Sequence, residues 1–225
     1  MKNANDSILL IDKPKGWTSF DVVKKVKYSL KLKKVGHAGT LDPLATGLLL
    51  VGTGKCTKEL QMLQTQDKTY EGIIEVGKTT PSYDLETEFD SISDFTHLQE
   101  EQVVKAAHQL TGKIQQIPPA HSAVKINGVR AYKIARKKEK VDIEPREVTV
   151  FEFAVLKISL PEVHFRIQCS KGTYIRSIAH DFGKILGVGG YLKELRRTRI
   201  GTYGIEQSQT LEDFLEAYNK ENANH

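Results

Sequence analysis

The sequence predicts an α+β fold whose sheet is mixed and mostly antiparallel. Two long extended segments, residues 147–160 and 162–169, follow each other directly and meet at Pro161. Asn127 and Gly128 are typical of a two-residue β-hairpin turn. Strand segments therefore follow strand segments more often than they alternate with helices, which favours α+β over α/β.

The N-terminal part of the chain predicts a strand, a helix and a second strand. Residues 8–11 form an apolar run, and Thr18 or Ser19 is suited to cap a helix that ends near Leu30. Strand residues 48–51 follow. The apolar positions of the helix are Phe20, Val23, Val26 and Leu30, and a glycine-rich turn over 36–47 and a short helix over 57–63 complete this part.

Alternating polarity predicts a strand over 69–76, and the polar segment 77–95 is typical of a surface loop. Thr96 and Gln99 form a capping-box pattern that opens a helix. Further predicted elements are an extended segment over 114–117, a helix over 174–186 and an amphipathic helix over 211–218. The residues expected to face inward are Val103, Ala107 and Leu110 in the first helix, and Ile175, Ile178, Ala179, Phe182 and Ile185 in the second.

Composition excludes several classes of protein. The two cysteines are far apart and lie in no ligand pattern, so a disulfide framework and a zinc site are not expected. The apolar runs at 8–11 and 48–51 are too short for a signal peptide or a membrane span. A reducing cytoplasm is therefore the expected compartment. The net charge of +5 over 225 residues favours a polyanionic partner.

Asp42 is the candidate for chemistry in the segment G-H-A-G-T-L-D-P-L-A-T-G-L-L, which spans residues 36–49. It is the one acid in this glycine-rich run. Asp42 followed by Pro43 is a common start of a helix, and the spacing by itself favours such a cap. The alternative is a nucleophile, which requires a partner that keeps the carboxylate ionised.

Arginine, tyrosine and histidine candidates accompany Asp42. Arg176, early in its predicted helix, is either exposed or directed at an anion, because a cation there opposes the helix dipole. Tyr70 is either a core residue or an exposed ring that stacks on a base. His37 is either structural or in contact with nucleic acid. Together with Tyr70, Tyr132 and Tyr174, three basic groups favour an RNA-binding surface; these groups are residues 24–34, residues 133–140, and Lys193 with Arg196, Arg197 and Arg199.

Six motifs in order and at matching spacing resemble the bacterial tRNA pseudouridine-55 synthases of the TruB type. The resemblance covers roughly residues 7–213. The motifs are K-P-K-G-W-T-S at 13–19, the Asp42 segment at 36–49, K-T-Y-E-G at 68–72, S-A-V-K-I-N-G-V-R at 122–130, the segment with C-S-K-G-T-Y-I-R at 169–183, and L-R-R-T at 195–198.

The resemblance implies isomerisation of uridine 55 in the T loop of tRNA, without a cofactor or a metal. The uridine must leave its stack before the enzyme reaches it. The resemblance implies that Asp42 is the nucleophile, that Tyr70 stacks on the base and assists proton removal, and that Arg176 pairs with Asp42. His37, Tyr174 and Leu195 would line the site together with Tyr70. The implied RNA contacts are Lys13, Lys125, Arg130, Lys171, Arg196 and Arg197.

The resemblance also implies the architecture. We expect one pseudouridine synthase domain over residues 1–225, with a central sheet flanked by helices and crossed by an active-site cleft. An RNA-binding insertion is expected at about 121–146, and the space after the last helix leaves no room for a C-terminal PUA-like domain. Asp84 matches the second acid of the family by spacing only. We expect a monomer that has no obligate protein partner and does not bind a membrane.

Two other functions remain open at this point. The basic groups also suit a non-catalytic tRNA-binding protein or tRNA-folding chaperone. A pseudouridine synthase that acts on another RNA, such as ribosomal RNA, is the third possibility.

Overall fold

The computed structural model describes residues 5–122, 124–126, 128–131, 134 and 143–223, and of residues 125–126, 130 and 221–223 it describes the main chain only. The chain forms two compact units. The first contains the described residues up to Tyr70 and from Leu195 onward, and the second runs from Glu71 to Glu194.

The elements of the described residues follow in chain order. They are β1 Ile8–Lys13, α1 Ser19–Ser29, β2 Val35–Ala38, β3 Thr46–Thr53, a 3₁₀ turn Gly54–Lys58, α2 Leu60–Thr65, β4 Lys68–Val76, β5 Lys78–Thr79, β6 Ser91–Ile92, α3 Glu100–Gln109, β7 Gly112–Gln116, β8 Lys125–Ile126, β9 Val129–Arg130, β10 Arg146–Ser159, β11 Glu162–Cys169, α4 Ile175–Leu186, β12 Gly190–Ile200, β13 Tyr203–Gly204, a 3₁₀ turn Ile205–Gln207, β14 Gln209–Thr210 and α5 Leu211–Ala223.

The first unit is built around β3. Strand β1 pairs with it antiparallel, so that Ile8 lies opposite Gly52 and Lys13 opposite Gly47. Strand β2 pairs antiparallel with it as well, while β12 runs parallel to it, and β14 runs parallel to β1. Because both faces of β3 are covered, its apolar residues form a continuous run. One face packs on α1 and α5 through Leu49 and Val51, and the other packs on α2 through Leu48 and Leu50.

The second unit contains an antiparallel hairpin of β10 and β11, whose register shifts twice. Strand β7 pairs antiparallel with the other edge of β10, and β4 lies on the far side of β11. Helix α3 buries Val103, Ala106 and Ala107 and contacts both β10 and α4. The predicted α+β fold with a mixed, mostly antiparallel sheet is confirmed, whereas the predicted domain limits stay a prediction.

Several local predictions were wrong. Residues 35–38 form strand β2, so the glycine-rich turn begins only after Ala38. The capping residue of α3 is Gln99, whose amide donates to the Gln102 side chain at 2.8 Å, because Thr96 instead bonds to Asp94 in a local turn. Strand β12 was not predicted. Two residues expected to face inward are exposed, namely Phe20 and Ile185.

The predicted hairpin in the insertion is confirmed by the antiparallel pairing of β8 and β9 around residues 127–128. Gly128 has a φ of +82°, in the left-handed region that such a turn requires. Much of the predicted insertion at 121–146 lies outside the described residues. Tyr132 lies outside them, and of the basic group at 133–140 only Ile134 is described.

Candidate active site

Asp42 lies in the loop of residues 39–45 that connects β2 to β3. Its main-chain carbonyl accepts a hydrogen bond from Ala45 at 3.1 Å, which closes a turn, and β3 begins at Thr46. No helix follows, so the interpretation of Asp42 as a helix cap was wrong. Its side chain is half-buried. The Asp42 carboxylate therefore lies in a loop and does not cap a helix.

Ser19, the first residue of α1, fixes the loop from one side. Its hydroxyl accepts a hydrogen bond from the Leu41 amide at 2.8 Å and lies 3.2 Å from the Leu41 carbonyl, to which it donates. Gly16 donates its amide to the Pro43 carbonyl at 2.8 Å. Because the residues on both sides of Asp42 are tied in this way, the main chain at Asp42 has little freedom.

Lys13 also holds the loop of residues 39–45, and its ammonium adds a positive charge near Asp42. It is fully buried, and its ammonium donates to the carbonyls of Pro14 at 2.9 Å, Trp17 at 2.6 Å and Pro43 at 3.4 Å. Burial lowers its pKa to about 8, while the Asp42 carboxylate acts in the opposite direction. A Lys13 committed to three carbonyls has no free donor for RNA, so the implied contact of Lys13 with RNA disagrees with this geometry.

Lys13→Met is expected to remove a pH-dependent part of the stability. The pKa of Lys13 is about 8 in the folded chain against 10.5 as its ordinary value, so between these values the unfolded chain binds more protons. The free energy of unfolding that Lys13 contributes therefore rises with pH across this window, by about 1 to 3 kcal/mol. Urea unfolding on both sides of the window measures it. A stability difference between wild type and variant that is constant with pH would contradict the assignment.

Arg197 fixes the loop from the other side. It is almost fully buried, and its guanidinium donates to the carbonyl of Gly39 at 3.1 Å and to that of Leu48 at 2.8 Å. It thus holds the main chain before and after Asp42. The implied role of Arg197 in RNA contact disagrees with this burial, because its donors are directed into the protein.

Gly47 allows β12 to approach the loop. Its φ is +104°, and a Cβ at this position would lie 2.4 Å from the Arg197 carbonyl oxygen and 2.7 Å from the Arg197 nitrogen. Only glycine fits here, because neither of these main-chain atoms can move independently. The close approach brings Arg197 to the end of the loop.

Gly47→Ala is expected to destabilise the protein by roughly 3 to 5 kcal/mol, since it adds overlap with the main chain to an unfavourable φ. Gly187→Ala is the matched control, because Gly187 has a φ of +76° and open space around it. The control is expected to cost about 1 to 2 kcal/mol, from the backbone conformation alone. Equal losses in the two variants, measured by urea unfolding, would be inconsistent with the close contact.

Arg196 points away from Arg197 and pairs with Asp12 on β1. Its two terminal nitrogens lie 3.1 Å and 2.6 Å from the two carboxylate oxygens, a bidentate pair. The Arg196 side chain is 43% exposed. Part of its guanidinium therefore remains accessible, and its contact with RNA stays a prediction, as does that of the exposed Lys171.

Tyr70 is 8% exposed, so of its two interpretations the core residue is confirmed and the exposed ring was wrong. Side chains alternate along β4, and Tyr70 shares the buried face with Lys68, while Glu71 is exposed on the other face. His37 is half-buried on β2; burial, and secondarily the charge of Arg197, lower the pKa of its imidazole, so it is neutral at neutral pH. Leu195 on β12 is half-buried.

Arg176 lies in the first turn of α4, and its side chain is only 4% exposed. Its Nε lies 3.6 Å from a carboxylate oxygen of Asp84. Its terminal nitrogens donate to the carbonyls of Ser82 at 3.1 Å and His121 at 3.0 Å. Of the two interpretations of Arg176, an exposed side chain was therefore wrong. The guanidinium is directed at an anion, the Asp84 carboxylate, which lies in the same unit.

Asp84 is the functional candidate with the weakest support from the motif resemblance, because its match rested on spacing alone. Its side chain is 7% exposed, and its second carboxylate oxygen accepts a hydrogen bond from the Glu86 amide at 2.9 Å. The hydroxyls of Thr80 and Ser82 donate to its carbonyl at 2.7 Å and 3.2 Å. These nearby hydroxyl residues are the sequence signal that could have indicated a fixed, buried acid.

Tyr174 precedes α4, and the guanidinium of Arg146 lies 4.7 Å from the centre of its ring. The candidate residues are thus distributed over both units: His37, Asp42, Tyr70 and Leu195 belong to the first, and Tyr174 and Arg176 to the second. The implied ion pair of Asp42 with Arg176 stays a prediction. Lys125 and Arg130 lie on β8 and β9, and their contact with RNA also stays a prediction.

Among the described residues, no group of three or more histidine, cysteine, aspartate or glutamate side chains is arranged to hold a metal ion. In the same part of the chain, no helix is both long enough and apolar enough to span a membrane.

Two family models match the chain. The TruB family pseudouridylate synthase N-terminal domain matches residues 27–175, and the tRNA pseudouridylate synthase B C-terminal domain matches residues 176–225. Two relatives are called tRNA pseudouridine synthase B. The Flavobacterium johnsoniae protein is 50% identical over 93% of this chain and 95% of its own length, and the Chloroherpeton thalassium protein is 53% identical over 92% and 88%.

Solved structures are also similar. A chain of a Cbf5–Nop10–Gar1 complex matches with a TM-score of 0.75 and 32% identity over 96% of this chain. A chain of an H/ACA RNP bound to a substrate RNA containing 2′-deoxyuridine matches with a TM-score of 0.73 and 30% identity over 97%. The present chain spans 55% and 56% of the length of these two chains.

Proposed function

Because the chain belongs to the TruB family of pseudouridylate synthases, we propose that it converts uridine 55 in the T loop of tRNA to pseudouridine. The observation that carries this proposal is the Asp42 loop. Ser19, Gly16, Lys13 and Arg197 each hold its main chain, and the carboxylate between them is half-buried. A loop fixed at so many points suits a group that must meet one atom of a substrate.

The reaction breaks the bond between N1 of uracil and C1′ of the ribose, and forms a bond from C5 to the same carbon. The proton on C5 leaves and N1 gains one, so substrate and product are isomers. No oxidant or co-substrate is consumed. The uridine is stacked in the T loop and must be extruded first, at a cost of a few kcal/mol.

Asp42 acts on the electron-poor centre that forms when the glycosidic bond breaks. Attack on the base, attack on the sugar and removal of a sugar proton are all open to a carboxylate at this position. The Asp42 carboxylate and the Lys13 ammonium attract each other, and this attraction raises the pKa of Lys13 against the larger effect of burial. In the proposal, the ring of Tyr70, which is 8% exposed without RNA, becomes accessible when the tRNA binds and stacks on the base. This contact offsets part of the unstacking cost at about 1 to 3 kcal/mol per base.

In the second unit, the Arg176–Asp84 pair is a buried guanidinium site. In the proposal, Arg176 faces the reacting nucleotide together with Asp42, and Tyr174 lines the site. The tRNA is bound chiefly through its phosphates by basic side chains such as Arg196 and Lys171, so affinity falls as salt rises. A cytoplasmic monomer that needs no protein partner is part of the same proposal.

Tritium release tests the proposal. A T-arm transcript that carries tritium on C5 of its uridines is expected to lose one tritium per molecule when the protein is added. A transcript with cytidine at position 55 is the matched control and is expected to release none. Tight binding without release would support a tRNA-folding chaperone instead. Release from ribosomal RNA but not from the T arm would support a synthase with another target.

A further inference from the structure

Gln116 is a fully buried amide at the end of β7, and sequence reasoning did not single it out. Its carbonyl oxygen accepts a hydrogen bond from the Tyr174 amide at 2.8 Å, and its side-chain nitrogen donates to the Tyr174 carbonyl at 3.0 Å. Both functional atoms of this side chain are therefore used on the main chain of one residue. A buried amide without such partners is strongly unfavourable, so the pairing restrains both segments.

The clamp lies at the start of α4. Tyr174 is the residue that precedes the helix, and its side chain provides no capping hydrogen bond. Its carbonyl also accepts the first helical hydrogen bond, from Ile178 at 3.2 Å. The hydroxyl of Ser177 donates to the Ile117 carbonyl at 2.7 Å, which is a second tie between the same two segments. The first turn of α4 is thus anchored to residues 116–117.

Arg176 lies in this first turn, two residues after the clamped position. Its guanidinium reaches Asp84 and the carbonyls of Ser82 and His121 only if the helix starts where it does. A shift of the helix start would move the guanidinium with it. Displacements of about 1 Å far from the reacting atoms can reduce the rate of an enzyme by about 100-fold.

We propose that Gln116 is a positioning residue for pseudouridine formation, which acts by clamping Tyr174 and so fixing the guanidinium of Arg176. The inference rests on the proposed function. Gln116 touches neither substrate nor reacting atoms; it acts through the start of α4. An apolar side chain of the same shape would fill the space and leave the amide and part of the carbonyl of Tyr174 unpaired.

The test compares Gln116→Met with Gln115→Met, which changes an exposed glutamine one position earlier in the same strand. Single-turnover tritium release from the T-arm transcript and binding of that transcript are measured at a temperature where every variant is folded. We expect Gln116→Met to slow release by about 10- to 100-fold with binding within about threefold of wild type. Gln115→Met is expected to match the wild type in both.

The same substitution in an Asp84→Asn background separates positioning from support of the fold. Asp84→Asn removes the carboxylate that holds the Arg176 guanidinium, so the guanidinium is already less well positioned in this background. If Gln116 acts through Arg176, Gln116→Met therefore slows tritium release much less in this background than in the wild type. Equal slowing in both backgrounds, or a wild-type rate in Gln116→Met, would overturn the proposal.

Gln116→Glu decides the matter if Gln116→Met does not fold, because it keeps the shape and the acceptor. It places an oxygen instead of a donor against the Tyr174 carbonyl, so release is expected to slow here too. A wild-type rate in Gln116→Glu would exclude the two-point clamp. The wild type is the positive control, and the proposed function fails if the wild type releases no tritium. If the wild type and the Gln116 variant are equally active, only the inference about Gln116 is contradicted.

Discussion

Asp42→Asn is expected to abolish pseudouridine formation, by at least about 1000-fold in single-turnover rate, with T-arm binding within about threefold of wild type. The amide has the same shape as the carboxylate and keeps the turn, which depends on main-chain atoms of Asp42 and on Ser19, Lys13 and Arg197. It lacks the negative charge. Tritium release and filter binding on the same preparation measure the two effects.

Asp213→Asn is the matched control, since Asp213 accepts a hydrogen bond from Thr210 at the start of α5 and takes no part in the proposed site. This variant is expected to release tritium at the wild-type rate. Full release by Asp42→Asn would remove the assignment of Asp42, and loss of binding by Asp42→Asn would show that the residue serves recognition rather than chemistry.

Arg176→Met is expected to destabilise the protein by about 3 to 5 kcal/mol, because it leaves the buried Asp84 carboxylate without its cation. It is also expected to stop tritium release. Adding Asp84→Asn to Arg176→Met is expected to restore part of the stability, since no uncompensated charge then remains, but not the activity. Urea unfolding and tritium release measure these effects separately.

Arg196→Met provides the comparison for stability. The Arg196–Asp12 pair has similar chemistry, but Arg196 is 43% exposed and Asp12 is 24% exposed. Water therefore compensates the loss, and the expected cost is about 1 kcal/mol or less. A loss as small for Arg176→Met would mean that Asp84 does not depend on the guanidinium.

Local patterns accounted for most of the fold. The apolar spacing of α1 and the continuous apolar run in β3 predicted their elements, because both depend on neighbours in sequence. Strand β12 was missed because five of its eleven residues are charged. Three of those charges, Lys193, Arg196 and Arg197, are neutralised or buried by partners elsewhere in the chain. Its strand character depends on pairing that the local sequence does not display.

The candidate residues show the same limit. The motif resemblance singled out Asp42 and Arg176, but their surroundings were not predictable. Arg197 was expected on an RNA surface, whereas its guanidinium is used by Leu48, 149 positions away in sequence. The partner of Arg196, Asp12, lies 184 positions away and was equally unpredictable, although the RNA contact of Arg196 stays a prediction. The sequence shows that a cationic side chain is present, but not whether that side chain donates hydrogen bonds to a carbonyl far away in the chain. The burial of Tyr70 depends likewise on which face of β4 is covered, which alternation alone does not reveal.

The most direct test of the central claim is a map of pseudouridine at single-nucleotide resolution in total RNA. The map compares a strain that lacks this gene with strains that carry the wild-type gene or the Asp42→Asn variant. We predict that pseudouridine at position 55 of tRNA disappears in the deletion strain, returns with the wild-type gene and does not return with Asp42→Asn. Pseudouridine that persists at position 55 without the gene, or returns with the variant, would contradict the account.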